Sequence, residues 1–198
     1  MKIERKDILF IVGVSLVYCS LSAGFSLVST ILPDKTVLQN PLEHAVFSIS
    51  LKEIIGHFIF GAVAGIVTLR LKYILLGGLL AVLIDSDHLV GLLHMEGISK
   101  MSHSITFAIL SMIVLMLVFH KKDYRLGAIA ATTVLTHISY DIFDGGYKFP
   151  FLTPFFNKTI QFSSTDWIFF EIIAIVIVGI VSLLVTRKES SQKNIPNQ

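Results

Sequence analysis

Charge is scarce in this sequence. Asp, Glu, Lys and Arg make up 15% of its 198 residues, against about 25% in an ordinary soluble domain. That shortage excludes a conventional water-facing surface. Cysteine is nearly absent as well: Cys19 stands alone. Neither an intrachain disulfide framework nor a multi-cysteine metal site is open to the chain. Cys19 lies inside an apolar run and reads as a small packing residue. There is no basic stripe. The net charge is +2, and the Lys and Arg residues fall between apolar runs, which argues against nucleic acid as a partner. A Ser nucleophile elbow and a phosphate-cradling Gly loop are both missing.

What the chain has in quantity is apolar sequence. Hydrophobic residues make up 54%, and the mean hydropathy is +0.77. Residues 8–32 contain no charge. That run is too long for a signal-peptide core of about 7–15 residues and suits a span of about 20, so it reads as a retained first helix. Hydropathy places five further spans at about 53–69, 73–93, 103–119, 126–143 and 167–186. The fold class expected is all-α: a polytopic transmembrane bundle of about six helices in a single domain, 1–187. A polar, disordered tail is expected over 188–198. The second, fourth and fifth spans are short, and the second is open to a re-entrant reading.

Loop charge sets the expected orientation. With the N-terminus inside, Lys2, Arg5, Lys6, Arg70, Lys72, Lys121, Lys122, Arg125, Arg187, Lys188 and Lys193 are inside. Lys35, Lys52, Lys100, Lys148 and Lys158 are outside. Both termini are then cytoplasmic, in a plasma or inner membrane. The longer loops, 33–52, 94–102 and 144–166, face out. Residues 43–53 suggest a short interfacial helix. The last loop is rich in aromatic residues and Pro, which suits either packing at headgroup level or a wall over a site.

Ionisable residues inside spans cost about 2.5–3.5 kcal/mol each even on lenient scales. Here they gather in one leaflet. Glu53 and His57 are at the outer end of the second span. Asp85, Asp87 and His88 are in the outer half of the third, and His103 opens the fourth. His137, Asp141 and Asp144 are at the outer end of the fifth. Pairs such as Glu53/His57, Asp85/His88 and His137/Asp141, three or four apart, share a helix face. Asp87 is about 200° around a straight helix from Asp85, so either the helix breaks there or one aspartate stands behind the other. Below His57, Gly61 and Gly65 form a Gly-x-x-x-Gly stripe that allows close helix approach. His44 and His94 read as loop residues and His120 as a solvated helix end. Glu171 either joins the site or snorkels.

Imidazole nitrogen and carboxylate oxygen are the usual non-sulfur ligands of zinc, and also suit iron or manganese. The motif order resembles that of the YdjM-like family of membrane-bound metal-dependent hydrolases. It runs from His57 through Leu83-Ile84-Asp85-Ser86-Asp87-His88 and Ser102-His103-Ser104 to Thr136-His137-Ile138-Ser139-Tyr140-Asp141. The likeness covers about residues 50–145. In pattern alone it is also similar to zinc-dependent phospholipase C and nuclease sites. Two departures stand out: Ile84 replaces a frequent Pro, and Ile98-Ser99-Lys100 replaces a frequent His-Arg-Gly.

The reading is a membrane-embedded, metal-dependent hydrolase with its site near the outer leaflet, facing the extracytoplasmic side. His57, Asp85, His88, His103, His137 and Asp141 are the expected ligands of a divalent metal, zinc first. Asp87 or Asp144 is expected to be the general base, or to orient a histidine. A membrane lipid or a phosphoester is the expected substrate class. The alternatives are a metal-ion or proton transporter using the same cluster, and a structural or regulatory protein with a fold-stabilising metal.

Overall fold

The structure, a computed structural model, describes residues 3–32, 50–93, 100–119, 122–156 and 158–193. His44, His94, His120, most of the expected interfacial helix and the end of the tail lie outside the described residues. Six α-helices form the described part: α1 (Arg5–Val28), α2 (Leu51–Ile66), α3 (Leu71–Leu83), α4 (Ile105–Val118), α5 (Tyr124–Asp144) and α6 (Asp166–Lys193). A two-stranded antiparallel hairpin, β1 (Lys148–Phe149) with β2 (Ile160–Gln161), lies in the loop between α5 and α6.

Local chemistry fixes where these helices begin. Glu4 and Asp7 form a reciprocal capping box at α1. Ser50 accepts from the Glu53 backbone N–H at α2, Ser104 from Phe107 at α4 and Asp123 from Leu126 at α5. Each satisfies a donor that the first helical turn leaves without a partner. Gly145, at φ 109°, ends α5 in the left-handed conformation that glycine adopts without steric cost.

Among the described residues, three helices are long and apolar enough to cross a membrane: α1 with its following turn, α5 and α6. Their surroundings differ. The best apolar window of α5 is 89% buried, against 28% for α1 and α6. The polar-rich α5 is therefore the central post. The outer pair display Leu9, Leu16, Phe169 and Leu183 outward, as lipid-facing helices do. α5 has 21 residues, longer than its expected span. α2, α3 and α4 have 16, 13 and 14, short of the ~20 that a perpendicular crossing needs.

Two sequence expectations are corrected here. The third span is not one α-helix: α3 stops at Leu83 and a 3₁₀ segment follows over Ile84–Leu93. The break is tied down from α1. Ser22 Oγ donates to the Ile84 carbonyl at 2.7 Å, and Ser86 Oγ donates to the carbonyls of Leu83 and Cys19 at 2.7 and 3.0 Å. Carbonyls at this turn thus have side-chain donors, an arrangement that competes with the regular helical ladder. The second correction concerns residues 188–193, expected as disordered tail, which continue α6. Glu189 is held there by Arg125 through Nη1 at 2.8 Å and Nη2 at 3.3 Å.

Gly61 and Gly65 put α2 directly on α3. A Cβ at Gly61 would lie 2.2 Å from the Gly77 carbonyl oxygen, and one at Gly77 would lie 2.4 Å from the Gly61 oxygen. No side chain fits between the two backbones. Higher on α2, a Cβ at Gly56 would meet the Tyr140 ring of α5 at 2.0 Å. These contacts clamp α2 between α3 and α5 and set the height of His57.

Candidate metal centre

Four segments bring their polar side chains to one point. α2 supplies His57, the 3₁₀ segment supplies Asp85, Asp87 and His88, the turn before α4 supplies His103, and α5 supplies His137 and Asp141. The 3₁₀ geometry resolves the angular problem posed by the two aspartates. With three residues per turn, Asp85 and His88 eclipse each other, and Asp87 is turned a third of a circle away. Accordingly His88 Nε2 is 3.4 Å from Asp85 Oδ1. Asp87 instead turns to His103, its Oδ2 lying 3.4 Å from Nδ1, and accepts from the Ser102 backbone N–H at 3.3 Å.

Asp85 and Asp141 are the hubs. Asp85 Oδ1 lies 3.4 Å from His137 Nε2 and 3.8 Å from His103 Nε2, and its Oδ2 lies 3.6 Å from His57 Nε2. Asp141 lies 3.4 Å from His57, 3.6 Å from His103 and 3.8 Å from His137. His57 and His137 stack with ring centroids 3.7 Å apart and planes 2° from parallel. All four histidines are buried, and His103 and His137 have no exposure.

The orientation of His137 follows from its partners. Its Nδ1 lies 2.7 Å from the Ala81 carbonyl oxygen. A carbonyl only accepts, so Nδ1 carries the hydrogen and Nε2 is the atom offered to the centre. The Nε2 of His103 faces it at 2.8 Å. Two imidazole lone pairs repel at that distance unless a proton or a metal cation lies between or beside them. This is the pattern of histidine ligands held from behind by a carbonyl or carboxylate.

The donor set fits a divalent metal. Three overlapping groups have ligand atoms all within 4.8 Å of one another: His57/His137/Asp141, Asp85/His103/His137 and Asp85/Asp87/His88. The sharing of Asp85 and His137 makes them one connected centre. All six residues expected as ligands lie in it, together with Asp87. Nitrogen and carboxylate oxygen without sulfur suit zinc, iron or manganese.

Two other residues have different places. Asp144 is at the rim, salt-bridged to Lys52, and does not share in the ligand groups. Asp87 is 3% exposed and belongs to the third ligand group with Asp85 and His88; its other oxygen lies behind His103, 3.4 Å from Nδ1. Glu171 is buried between α5 and α6 beside Ser139. It neither joins the cluster nor snorkels.

The cluster opens into a cavity of about 570 Å³ lined by His57, Asp85, His88 and Asp141, with Lys52, Glu53, Lys100 and Asp144 at its sides. Neither lysine was expected at the site. Lys100 Nζ is 3.0 Å from Asp141 Oδ2 and 5.2 Å from the centre of the Phe149 ring. Burial alone would lower its pKa; the Asp141 carboxylate, together with Asp85 and Asp87, outweighs that and keeps the ammonium above its ordinary value. Its backbone φ is 57°, left-handed at the place where the resembled pattern has glycine. The sequence held one signal: Lys100 stands two residues before Ser102-His103-Ser104.

The aromatic loop forms a wall. Phe149 has no exposure and stacks on His103 with centroids 5.9 Å apart and planes 12° from parallel. The Phe151 carbonyl accepts from the Ile105 N–H at 2.9 Å, which fixes the loop to the start of α4. At its tip Phe155 is 87% exposed.

Residues 53–195 match the family model described as YdjM inner membrane protein. No curated protein and no solved structure gives a match. The matched region contains every residue of the cluster, α2 from Glu53 onward and α3 to α6, but not α1. The chain belongs to the YdjM inner membrane protein family.

Proposed function

We propose that this protein is a membrane-embedded, metal-dependent hydrolase acting on a lipid or another phosphoester at the membrane surface. The observation that carries this reading is the approach of His103 Nε2 to His137 Nε2 at 2.8 Å, beside Asp85 and Asp141, which line an open cavity. A divalent cation bound there, zinc by preference, would supply Lewis acidity toward a phosphoryl or carbonyl oxygen and would lower the pKa of bound water. His57, Asp85, His88, His103, His137 and Asp141 would hold it. Asp87 orients His103 and His88. Asp144, on the cavity wall, is the carboxylate available to accept a proton from water, and Lys100 meets an anionic substrate.

The topology adopted with this reading has six spans, both termini in the cytoplasm and the centre at the extracytoplasmic side. Loop charge supports it. Transport is less well supported. The hydroxyls of Thr132, Thr133 and Thr136, below His137, donate to backbone carbonyls of their own helix. Leu80, Leu76 and Val134, none of them exposed, fill that level of the bundle.

The test is a screen of purified, metal-loaded protein against phospholipids and soluble phosphodiesters and phosphomonoesters. Turnover that chelation abolishes and Asp144→Asn strongly reduces is expected. Loaded protein that cleaves no member of the panel overturns the reading.

A further inference from the structure

The other end of the bundle has a second site-like feature. An apolar groove of about 470 Å³ runs between α4, α5 and α6, lined by Met116, Gly127, Ala131, Val181 and Leu184, with Lys188 at its end. It adjoins a polar cavity of about 580 Å³ that shares Tyr124 and Val185 with it and is lined by Lys122, Arg125, Asp123 and Glu189. From Tyr124 to Ala131 is ~10 Å along α5, and from Ile177 to Lys188 ~16 Å along α6. The groove is thus about as deep as one leaflet of a ~30 Å core.

The charges at its mouth do not balance. Asp123 accepts from the Tyr73 hydroxyl at 2.8 Å and from the Leu126 N–H at 3.0 Å. Glu189 is engaged by Arg125 at 2.8 Å and Arg70 at 3.6 Å. Both acids are therefore occupied. Lys122 and Lys188 form no ion pair among the described residues, and Nε of the buried Arg125 has no hydrogen-bond partner. Counting Lys122, Arg125 and Lys188 against Asp123 and Glu189, the mouth has a net positive charge, and it continues into an apolar slot one leaflet deep.

We propose that this groove binds an anionic phospholipid, its phosphate at Lys122, Lys188 and Arg125 and one acyl chain along Gly127 and Ala131. The surplus positive charge selects this occupant. A zwitterionic lipid brings its own cation to the same pocket, and a second copy of this chain would bring another pair of lysines. The site is separate from the His/Asp centre: Arg125 is twelve residues before His137 on the same helix, ~18 Å away.

The test uses full-length protein in nanodiscs of phosphatidylcholine containing phosphatidylglycerol at graded fractions, followed by native mass spectrometry of the lipid retained on release. Wild type is expected to keep phosphatidylglycerol over phosphatidylcholine by on the order of tenfold, from two juxtamembrane lysines. The exposed double change Lys122→Gln/Lys188→Gln reduces that preference to about twofold or less on the same basis, without disturbing the fold. Ala131→Phe fills the slot and lowers retention of both lipids. Equal retention of the two lipids by wild type overturns the proposal. So does an undiminished preference in the double variant, or a dimer that seals the groove.

Discussion

His103 and His137 point their Nε2 atoms at each other across 2.8 Å, and His137 is held in that position by the Ala81 carbonyl behind it. With the opposite nitrogen of His137 already donating, the contact needs a shared proton when no metal is present. Metal loading therefore displaces that proton. Titrating zinc into chelator-treated protein, in buffers of different ionisation enthalpy, should show release of about one proton per ion bound. His103→Ala should lose that release. Binding of zinc with no buffer dependence would contradict the geometry.

Lys100 neutralises Asp141 in the metal-free centre. Lys100→Met should destabilise chelated protein by about 1–3 kcal/mol, the usual cost of leaving a buried charged group without its partner. The loss should be smaller after metal addition, because the cation then balances Asp141. Thermal unfolding with and without chelator measures this. Equal losses in the two states would show that Lys100 contributes packing alone.

Two glycines make a paired test of helix approach. Gly61 faces the Gly77 carbonyl at a distance that no Cβ tolerates, whereas Gly24 on α1 has nothing within 4 Å of a built Cβ. Gly61→Val should cost about 3 kcal/mol or more, because both backbones must separate, and should lower metal retention by moving His57. Gly24→Ala should be neutral or stabilising by about 0.5–1 kcal/mol. Unfolding midpoints of the two variants decide the point; similar values would refute the close α2–α3 contact.

α1 lies outside the family match, yet it holds the centre. Ser22 Oγ donates to the Ile84 carbonyl at 2.7 Å, and Ser102 Oγ, 2.9 Å from Ser22 Oγ, donates to the Ser22 carbonyl at 3.1 Å. One helix thereby braces both the 3₁₀ segment and the turn that presents His103. Ser22→Ala should reduce metal affinity by about tenfold, as loss of a supporting contact commonly does, while leaving helix content unchanged. Unaltered affinity would make α1 a bystander.

Short-range geometry explains what could be read from the sequence. Glu53 and His57, Asp85 and His88, and His137 and Asp141 are three or four residues apart, and each pair does share a face. The grouping of their segments was legible because hydropathy places all of them near the same ends of the helices. What escaped detection depends on contacts across the chain. Lys100 meets Asp141 over 41 residues, and Ser22 meets Ile84 over 62. Arg125 holds Glu189 over 64 and so keeps the end of α6 helical. No local pattern encodes such pairings. The switch from α-helix to 3₁₀ was visible only as a conflict between Asp85 and Asp87 on a straight helix.

The most direct test is the metal content of protein purified without chelator, measured by mass spectrometry of its elements for wild type, Asp85→Ala and His137→Ala, with helicity checked in each. The account predicts near-stoichiometric zinc, iron or manganese in wild type and little in either variant. Variants that remain folded and retain as much metal as wild type would contradict it.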